Sequence, residues 1–212
     1  MEQHTSLDDK LDFSISELSI DEREQEKLGN LLLLLKYKHL PTLYHSLRVA
    51  ERGKRFAQAL GLNPKPAWYA GNLHDIGNML IEKEILDKSE GINKLDLERI
   101  HMHPVYGYYL LRDLFPFSAE IVLRHHTHQR NPYPISFPEQ KAKFSEKALN
   151  QATKYSAIIA LAEFCDSIYF GKRDSPKKEP SQRSVRYRLI ENFPKQERDI
   201  RRLYKEGLLS KN

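Results

Sequence analysis

The sequence predicts an all-α fold, a bundle of helices, and three observations carry that expectation. No stretch alternates apolar and polar residues in the two-residue rhythm of a half-buried strand. Apolar residues recur instead at helical spacing, as in Val49, Phe56 and Leu60, or fill a long run such as Ile158, Ile159, Leu161, Ala162, Phe164, Cys165 and Ile168. Prolines and glycines fall between these runs, where helices start and stop: Pro41, Gly61, Pro64, Pro66, Gly77, Pro104 and Pro116.

Taken in order, residues 1–25 are polar and weakly periodic, which predicts a loose arm with one short helical stretch. The leucines of 28–38 predict a buried helix that Pro41 ends. A helix over 42–60 follows, carrying His45 near its apolar face and stopped by Gly61. Pro64 and Pro66 open the next one, which ends at His74-Asp75-Ile76-Gly77, where a glycine lets the chain turn sharply. Residues 78–98 read as a loop with one short helix over 82–86. Pro104 suits the first position of a helix over 104–114, with His103 at its entrance rather than in a packed interior. Pro116 and a capping Ser118 start another helix, in which His125 and His126 continue the stripe of Ile121 and Val122. The three prolines of 131–138 make a loop. The apolar helix over 154–170 interrupts its run with two carboxylates, Glu163 and Asp166, which need cations or metal if buried. Residues 172–185 read as a linker before a basic terminal helix. The expected organisation is an acidic arm (1–27), a helical domain (28–172) and a basic linker and helix (173–212).

Composition narrows the function classes. The chain has 212 residues, 40% hydrophobic and 30% charged, as a globular protein does. No apolar run approaches the roughly 20 residues that span a bilayer, and the N-terminus lacks a basic-then-apolar secretory pattern. One cysteine, Cys165, excludes an intrachain disulfide and favours a reducing, cytoplasmic setting. Residues 1–27 hold nine acidic and three basic side chains, a balance of −6, and residues 172–212 hold thirteen basic and six acidic, a balance of +7. The basic segment is first of all a solvated face. The sharper reading is contact with an anionic partner: a nucleotide, nucleic acid, the chain's own acidic N-terminus or a protein. Without a zinc finger, helix-turn-helix or RNA signature, nucleic-acid readout is not expected. The sequence does not define the oligomeric state.

His45, His74-Asp75, His103, His125-His126 and Glu163 lie at helix ends or on core-facing stripes. Imidazole nitrogen and carboxylate oxygen are the common ligands of Zn, Mn and Fe, and a carboxylate can bridge two ions. Burying that many polar groups without partners is destabilising, and metal is a common solution. His39, His4 and His101 read as surface or loop residues.

Three strings carry a resemblance: His45-Ser46-Leu47-Arg48-Val49, Leu73-His74-Asp75-Ile76-Gly77 and His103-Pro104-Val105-Tyr106-Gly107. With Glu84-Ile85-Leu86-Asp87-Lys88, His125-His126 followed by Tyr133-Pro134, and Ala162-Glu163-Phe164-Cys165-Asp166, the set resembles the HD superfamily of metal-dependent phosphohydrolases, nearest its HD-GYP branch of cyclic di-GMP phosphodiesterases. The resemblance covers roughly residues 40–172 and implies an HD-type bundle with a binuclear metal centre. It implies His45, His74, Asp75, His103, His125, His126 and Glu163 as ligands of two divalent ions (Fe, Mn, Zn, Ni or Mg), with Asp75 bridging. It also implies Asp166 as a carboxylate orienting a histidine or a bound water, and Lys88 as a phosphate contact. Arg48, Arg124 and Arg130 are weaker phosphate candidates, and His128 is a weak one for protonating the leaving oxygen.

The departures matter too. Asn78 stands where the family's H-D-x-G-K ends in lysine, Pro132 replaces the glycine before Tyr133, and Glu163 replaces an aspartate. Pro41 occupies the position of a glutamate in some three-metal relatives, which favours two ions. The implied activity is hydrolysis of a nucleotide phosphodiester or phosphoanhydride by metal-activated water, with a cyclic dinucleotide as first candidate and a dinucleoside polyphosphate or monophosphate also open. The alternatives are a catalytically degenerate nucleotide-binding or signalling module and an HD-type di-iron oxygenase.

Overall fold

The computed structural model describes residues 7–171 and 180–211, and among them every regular element is a helix. In chain order these are α1 (Leu7–Glu17), α2 (Glu22–Lys38), α3 (Leu40–Ala59), α4 (Pro64–Leu73), α5 (Lys83–Leu86), α6 (Lys94–Ile100), α7 (His103–Leu111), α8 (Pro116–Arg124), α9 (Glu146–Phe170), α10 (Gln182–Asn192) and α11 (Glu197–Lys205). Short 3-10 turns cover Ile76–Leu80, His125–His128 and Pro194–Gln196. His4 lies outside the described residues.

Helices α3, α4 and α8 form a middle layer with apolar residues on two sides. On one side Val49, Ala57, Ala67 and Ile121 meet the buried stripe of α9 (Ala152, Ile158, Ile159, Leu161, Cys165). On the other, Leu47, Trp68, Leu73 and Val122 meet Leu28, Leu32 and Leu35 of α2 and Tyr108 and Leu111 of α7. Within the middle layer α3 and α4 come close where side chains are small: a Cβ on Gly71 would lie 2.4 Å from the Ala50 Cα.

Several boundaries differ from the sequence reading, each for a physical reason. Residues 7–27, expected as a loose arm, contain α1 and the start of α2, whose first turn Asp21 caps by accepting from the Glu24 N–H. Lys54 of α3 is buried, and α1 answers its charge: Nζ donates to Ser14 Oγ (2.5 Å) and to Glu17 (2.8 Å). Those long-range polar contacts leave no periodic trace in the sequence. Helix α9 begins at Glu146, earlier than expected, because Ser145 accepts from the Ala148 N–H. Asn93 and Asp96 build a reciprocal capping box that starts α6, where the sequence pattern suggests loop. Ser118 caps nothing: α8 starts at Pro116, and Ser118 is buried inside it.

The basic C-terminal segment is not a single appended helix. Val185, Leu189, Phe193, Ile200, Leu203 and Leu209 are buried in the same cluster as α9. Arg52 of α3 donates to the Ser210 carbonyl (2.8 Å) and the Tyr169 hydroxyl to the Leu209 carbonyl (2.7 Å). Among the described residues no helix is long and apolar enough to cross a membrane.

Candidate metal centre

Five segments deliver the implied ligands to one place: α3 (His45), the end of α4 (His74, Asp75), the start of α7 (His103), the turn after α8 (His125, His126) and the middle of α9 (Glu163). Gly77 permits this convergence, though not by a left-handed turn. A Cβ there would lie 1.9 Å from the His103 carbonyl oxygen and 2.7 Å from the Gly107 nitrogen, so glycine lets α7 press against the His74-Asp75 segment. His103 does stand at a helix entrance, as expected, but it is buried there.

The ligand atoms form two trios. His103, His125 and His126 make one, His45, His74 and Glu163 the other, and within each the ligand atoms lie within 4.8 Å of one another. Asp75 stands between them: Oδ1 is 3.4 Å from His103 Nε2, and Oδ2 is 3.6 Å from His74 Nε2 and 3.8 Å from His45 Nε2.

Tautomers follow from the hydrogen bonds. His74 Nδ1 faces the Gly71 carbonyl (2.8 Å), His103 Nδ1 the Ile100 carbonyl (2.8 Å) and His125 Nδ1 the Val122 carbonyl (2.5 Å). A carbonyl only accepts, so each Nδ1 carries the proton and each neutral ring turns an Nε2 lone pair inward. His45 Nδ1 likewise donates to Asp166 (2.7 Å). Nε2 of His103 and His125 then face each other at 3.2 Å, and those of His45 and His74 at 3.3 Å. Between His103 and His125, both pulled down by burial, that sets two lone pairs face to face, which repel unless a cation lies between them. His126 Nε2 is buried without a hydrogen-bond partner, 3.6 Å from Glu163. These donors fit divalent metal, and the residues that would hold it are the seven named.

The electrostatics agree. Burial pulls His74 down to about 4, and pulls His125 and His126 well below the ordinary imidazole range, so these rings are neutral donors. Burial also pulls on His45, but the Asp166 hydrogen bond and the Asp75 charge outweigh it and raise that ring. Asp75 resists burial because the surrounding imidazoles hold its carboxyl far below the usual carboxylate range. Burial, with Asp75 nearby, pushes Glu163 up to about 8, the mark of a carboxylate awaiting positive charge.

The remaining sequence candidates separate. Asp166 is buried, binds His45 and receives a fork from Arg48 (Nε 2.7 Å, Nη2 2.9 Å), whose guanidinium also lies 4.5 Å from the Phe170 ring centre. Arg48 is thus committed to Asp166. Lys88 borders the cleft with Asp75, Asn78, His103, Tyr133 and Glu163, its Nζ held 2.6 Å from Asp96. Arg124 is buried against Glu120 and under Phe137, turned into the fold. Arg130 and His128 border a different cavity, and His128 Nε2 bonds Ser156 (2.7 Å). Burial first, then Lys195, pulls His128 down to about 4, which makes it a poor proton donor near neutrality.

The sequence gives no role to other residues at the site, although Tyr133 and Asn78 fall in the family strings. Tyr133 stacks on His126 (4.3 Å) and on His101 (4.0 Å), walling the cleft, so His101 is not a plain surface residue. Gln129 reaches His126 Nδ1 at 3.3 Å. Asn78 is buried at the cleft with its Oδ1 unpartnered. His39, expected on the surface, is buried between Thr42 (2.7 Å) and Asp87 (3.2 Å).

This geometry agrees with the sequence comparisons. The HD domain family matches residues 42–167. The chain belongs to the HD domain family. Among curated proteins it is 30% identical over 137 residues to the 3'3'-cGAMP-specific phosphodiesterase 1 of Vibrio cholerae, covering 58% of this chain and 32% of that protein. It is 27% identical over 143 residues to a cyclic di-GMP phosphodiesterase of Thermotoga maritima, covering 64% and 39%. The HD family chain is also 26% identical over 163 residues to the cyclic di-GMP phosphodiesterase response regulator RpfG of Xanthomonas campestris, covering 73% and 43%. It therefore matches less than half the length of each relative. The crystal structure of the HD domain of the L. monocytogenes phosphodiesterase PgpH shares the fold, with a TM-score of 0.59 at 19% identity over 84% of this chain and 95% of that one.

Proposed function

We propose that this HD domain chain is a metal-dependent phosphohydrolase that cleaves a nucleotide phosphodiester, with cyclic dinucleotides as the first substrate class. The reading rests on one observation above all, the pair of ligand trios facing one Asp75 carboxylate, a donor set suited to two divalent ions. The relatives' names support the substrate class, as does a second crystal structure of the PgpH HD domain, in complex with cyclic-di-AMP. When bound, a cation pair supplies an acidified water and offsets charge at the scissile phosphate.

The chain's own residues do the rest. The backbone carbonyls of Gly71, Ile100 and Val122 hold protons on Nδ1 and keep the Nε2 lone pairs available. Asp75 addresses both trios with separate oxygens and sets their spacing. Asp166, clamped by Arg48, fixes the His45 ring. Lys88, at the mouth and paired with Asp96, binds a phosphate oxygen of the substrate. Tyr133 walls off one side of the cleft and limits water there.

The test is a panel of cyclic and linear nucleotides incubated with freshly purified protein under Mn²⁺ or Fe²⁺, with products resolved by chromatography. Release of a linear dinucleotide or a monophosphate, abolished by chelator, is expected. Tight nucleotide binding without any product would contradict the reading and favour a binding module. Dioxygen consumption by an iron-loaded sample would instead favour an oxygenase.

A further inference from the structure

Helix α2 has a second apolar face that no described residue covers. Leu28, Leu32 and Leu35 turn inward to the core. Leu33 (48% exposed), Leu34 (51%) and Tyr37 (83%) turn outward, and Leu40 and Tyr44 are exposed just beyond them at the start of α3. These five side chains bare on the order of 500 Å², a patch of the size that marks contact sites on soluble proteins. The stretches outside the described residues, 1–6 and 172–179, contain one aliphatic or aromatic side chain, Met1, and offer no matching face.

The edge of this face carries a pattern. Glu22, Glu26, Gly29, Leu33 and Lys36 are all exposed, and their alternating steps of four and three residues set them in one row along the helix. The row runs from acid through glycine to leucine and base. Glu26 and Lys36 pair with no described residue of the chain. Gly29 has no use within the chain either. Glycine weakens a helix interior, and a Cβ at this position would meet no atom within 4 Å. A bare backbone there lets another helix come close.

We propose that this face is where two copies of the chain pair, α2 against α2, antiparallel about a two-fold axis. A two-fold interface must be complementary to itself, and this row is. Setting Leu33 of one copy over Gly29 of the other brings Glu26 of the first beside Lys36 of the second, and the symmetry repeats both contacts. A parallel pair would face acid to acid and base to base. With the flanking charges the face approaches the roughly 800 Å² that each member of a stable pair buries. A membrane fits less well, because an anionic lipid surface repels Glu22 and Glu26. The pairing is independent of what the metal cleft hydrolyses.

Sedimentation velocity of the metal-loaded full chain over a concentration series tests it. A species of twice the chain mass is expected to grow with concentration. Gly29→Gln should weaken pairing about tenfold or more with helical circular dichroism kept, since within one copy the added side chain meets open space. Lys36→Glu and Glu26→Lys are each expected to weaken it about tenfold or more, and the double exchange to restore it. A chain that stays monomeric throughout, a pair that these variants leave intact, or a double exchange that fails to restore pairing would each overturn the proposal. Monomers that float with phosphatidylserine vesicles would assign the face to a membrane instead.

Discussion

The two ligand trios are built by different means. Of His103, His125 and His126, the first two are oriented by carbonyls three residues earlier in their own segments, and the third leans on Gln129, three residues later. All three rings are buried. The trio of His45, His74 and Glu163 is more open. Its His45 ring is held by Asp166, 121 positions away in the chain, and Asp166 is held in turn by Arg48. Local backbone thus presets His103 and His125 in the first trio and His74, through the Gly71 carbonyl, in the second. Only His45 depends on a side-chain relay between α3 and α9. A backbone-held ligand changes only if the fold changes, whereas the relay can be cut by one substitution that leaves the fold in place.

The largest expected effect erases the distinction. Asp75→Ala removes the carboxylate both trios share, so turnover falls to background and both ions are lost; retention of either ion at full occupancy would show that the trios do not depend on it equally. Next comes Gly77→Ala, aimed at the backbone-held half. With a Cβ otherwise 1.9 Å from the His103 carbonyl, α7 must move, and destabilisation of roughly 3 kcal/mol or more is expected in a denaturant melt. Asp166→Asn strikes the relay alone. It should lower metal affinity or activity about 10–100-fold, selectively at the His45 half, while the melting temperature changes little beyond the lost metal. Equal loss from both halves in a metal titration would show that the trios are one unit.

Lys88→Ala leaves both trios intact and is expected to raise KM about tenfold, near 1.4 kcal/mol, with kcat largely kept. The smallest effect is a proton count. Glu163 is raised to about 8, so below that pH it is mostly protonated in the metal-free chain and an entering cation expels the proton. Metal affinity should therefore rise with pH towards that value. Calorimetry in buffers of different ionisation enthalpy should find about one proton released by Glu163 at neutral pH, with His45, whose ring is also raised, adding to it. Glu163→Gln should lower the release by about one, and an unchanged count would assign it elsewhere.

Most of the candidate site was legible because the residues proposed as ligands sit in short strings whose order identifies a family. His45, His74-Asp75, His103, His125-His126 and Glu163 lie together in the structure. The residues around them were less legible. Nothing in the sequence distinguishes Arg48, clamped on Asp166, from Arg124, buried against Glu120, because both lie on amphipathic helices and only the packing decides. His128 sits two positions from a ligand yet faces another cavity. The helical class was legible from periodicity, but the ends of the chain were not. The buried positions of α10 and α11, such as Val185, Leu189, Ile200 and Leu203, are sparse among charges and resemble a solvated tail until α9 is placed beneath them. Asn78 and Tyr133 lie in the family strings, but their place lining the cleft is visible only with the loop after the His125–His128 turn in position.

Metal stoichiometry decides whether the seven side chains hold a cation pair around Asp75. It is measured by plasma mass spectrometry on wild-type and Asp75→Ala protein purified side by side with Mn²⁺ present. Two ions per chain are expected in the wild type and neither in the variant, with both proteins retaining helical circular dichroism. A wild type that holds no transition metal, or a folded variant that keeps both ions, would contradict a shared binuclear centre.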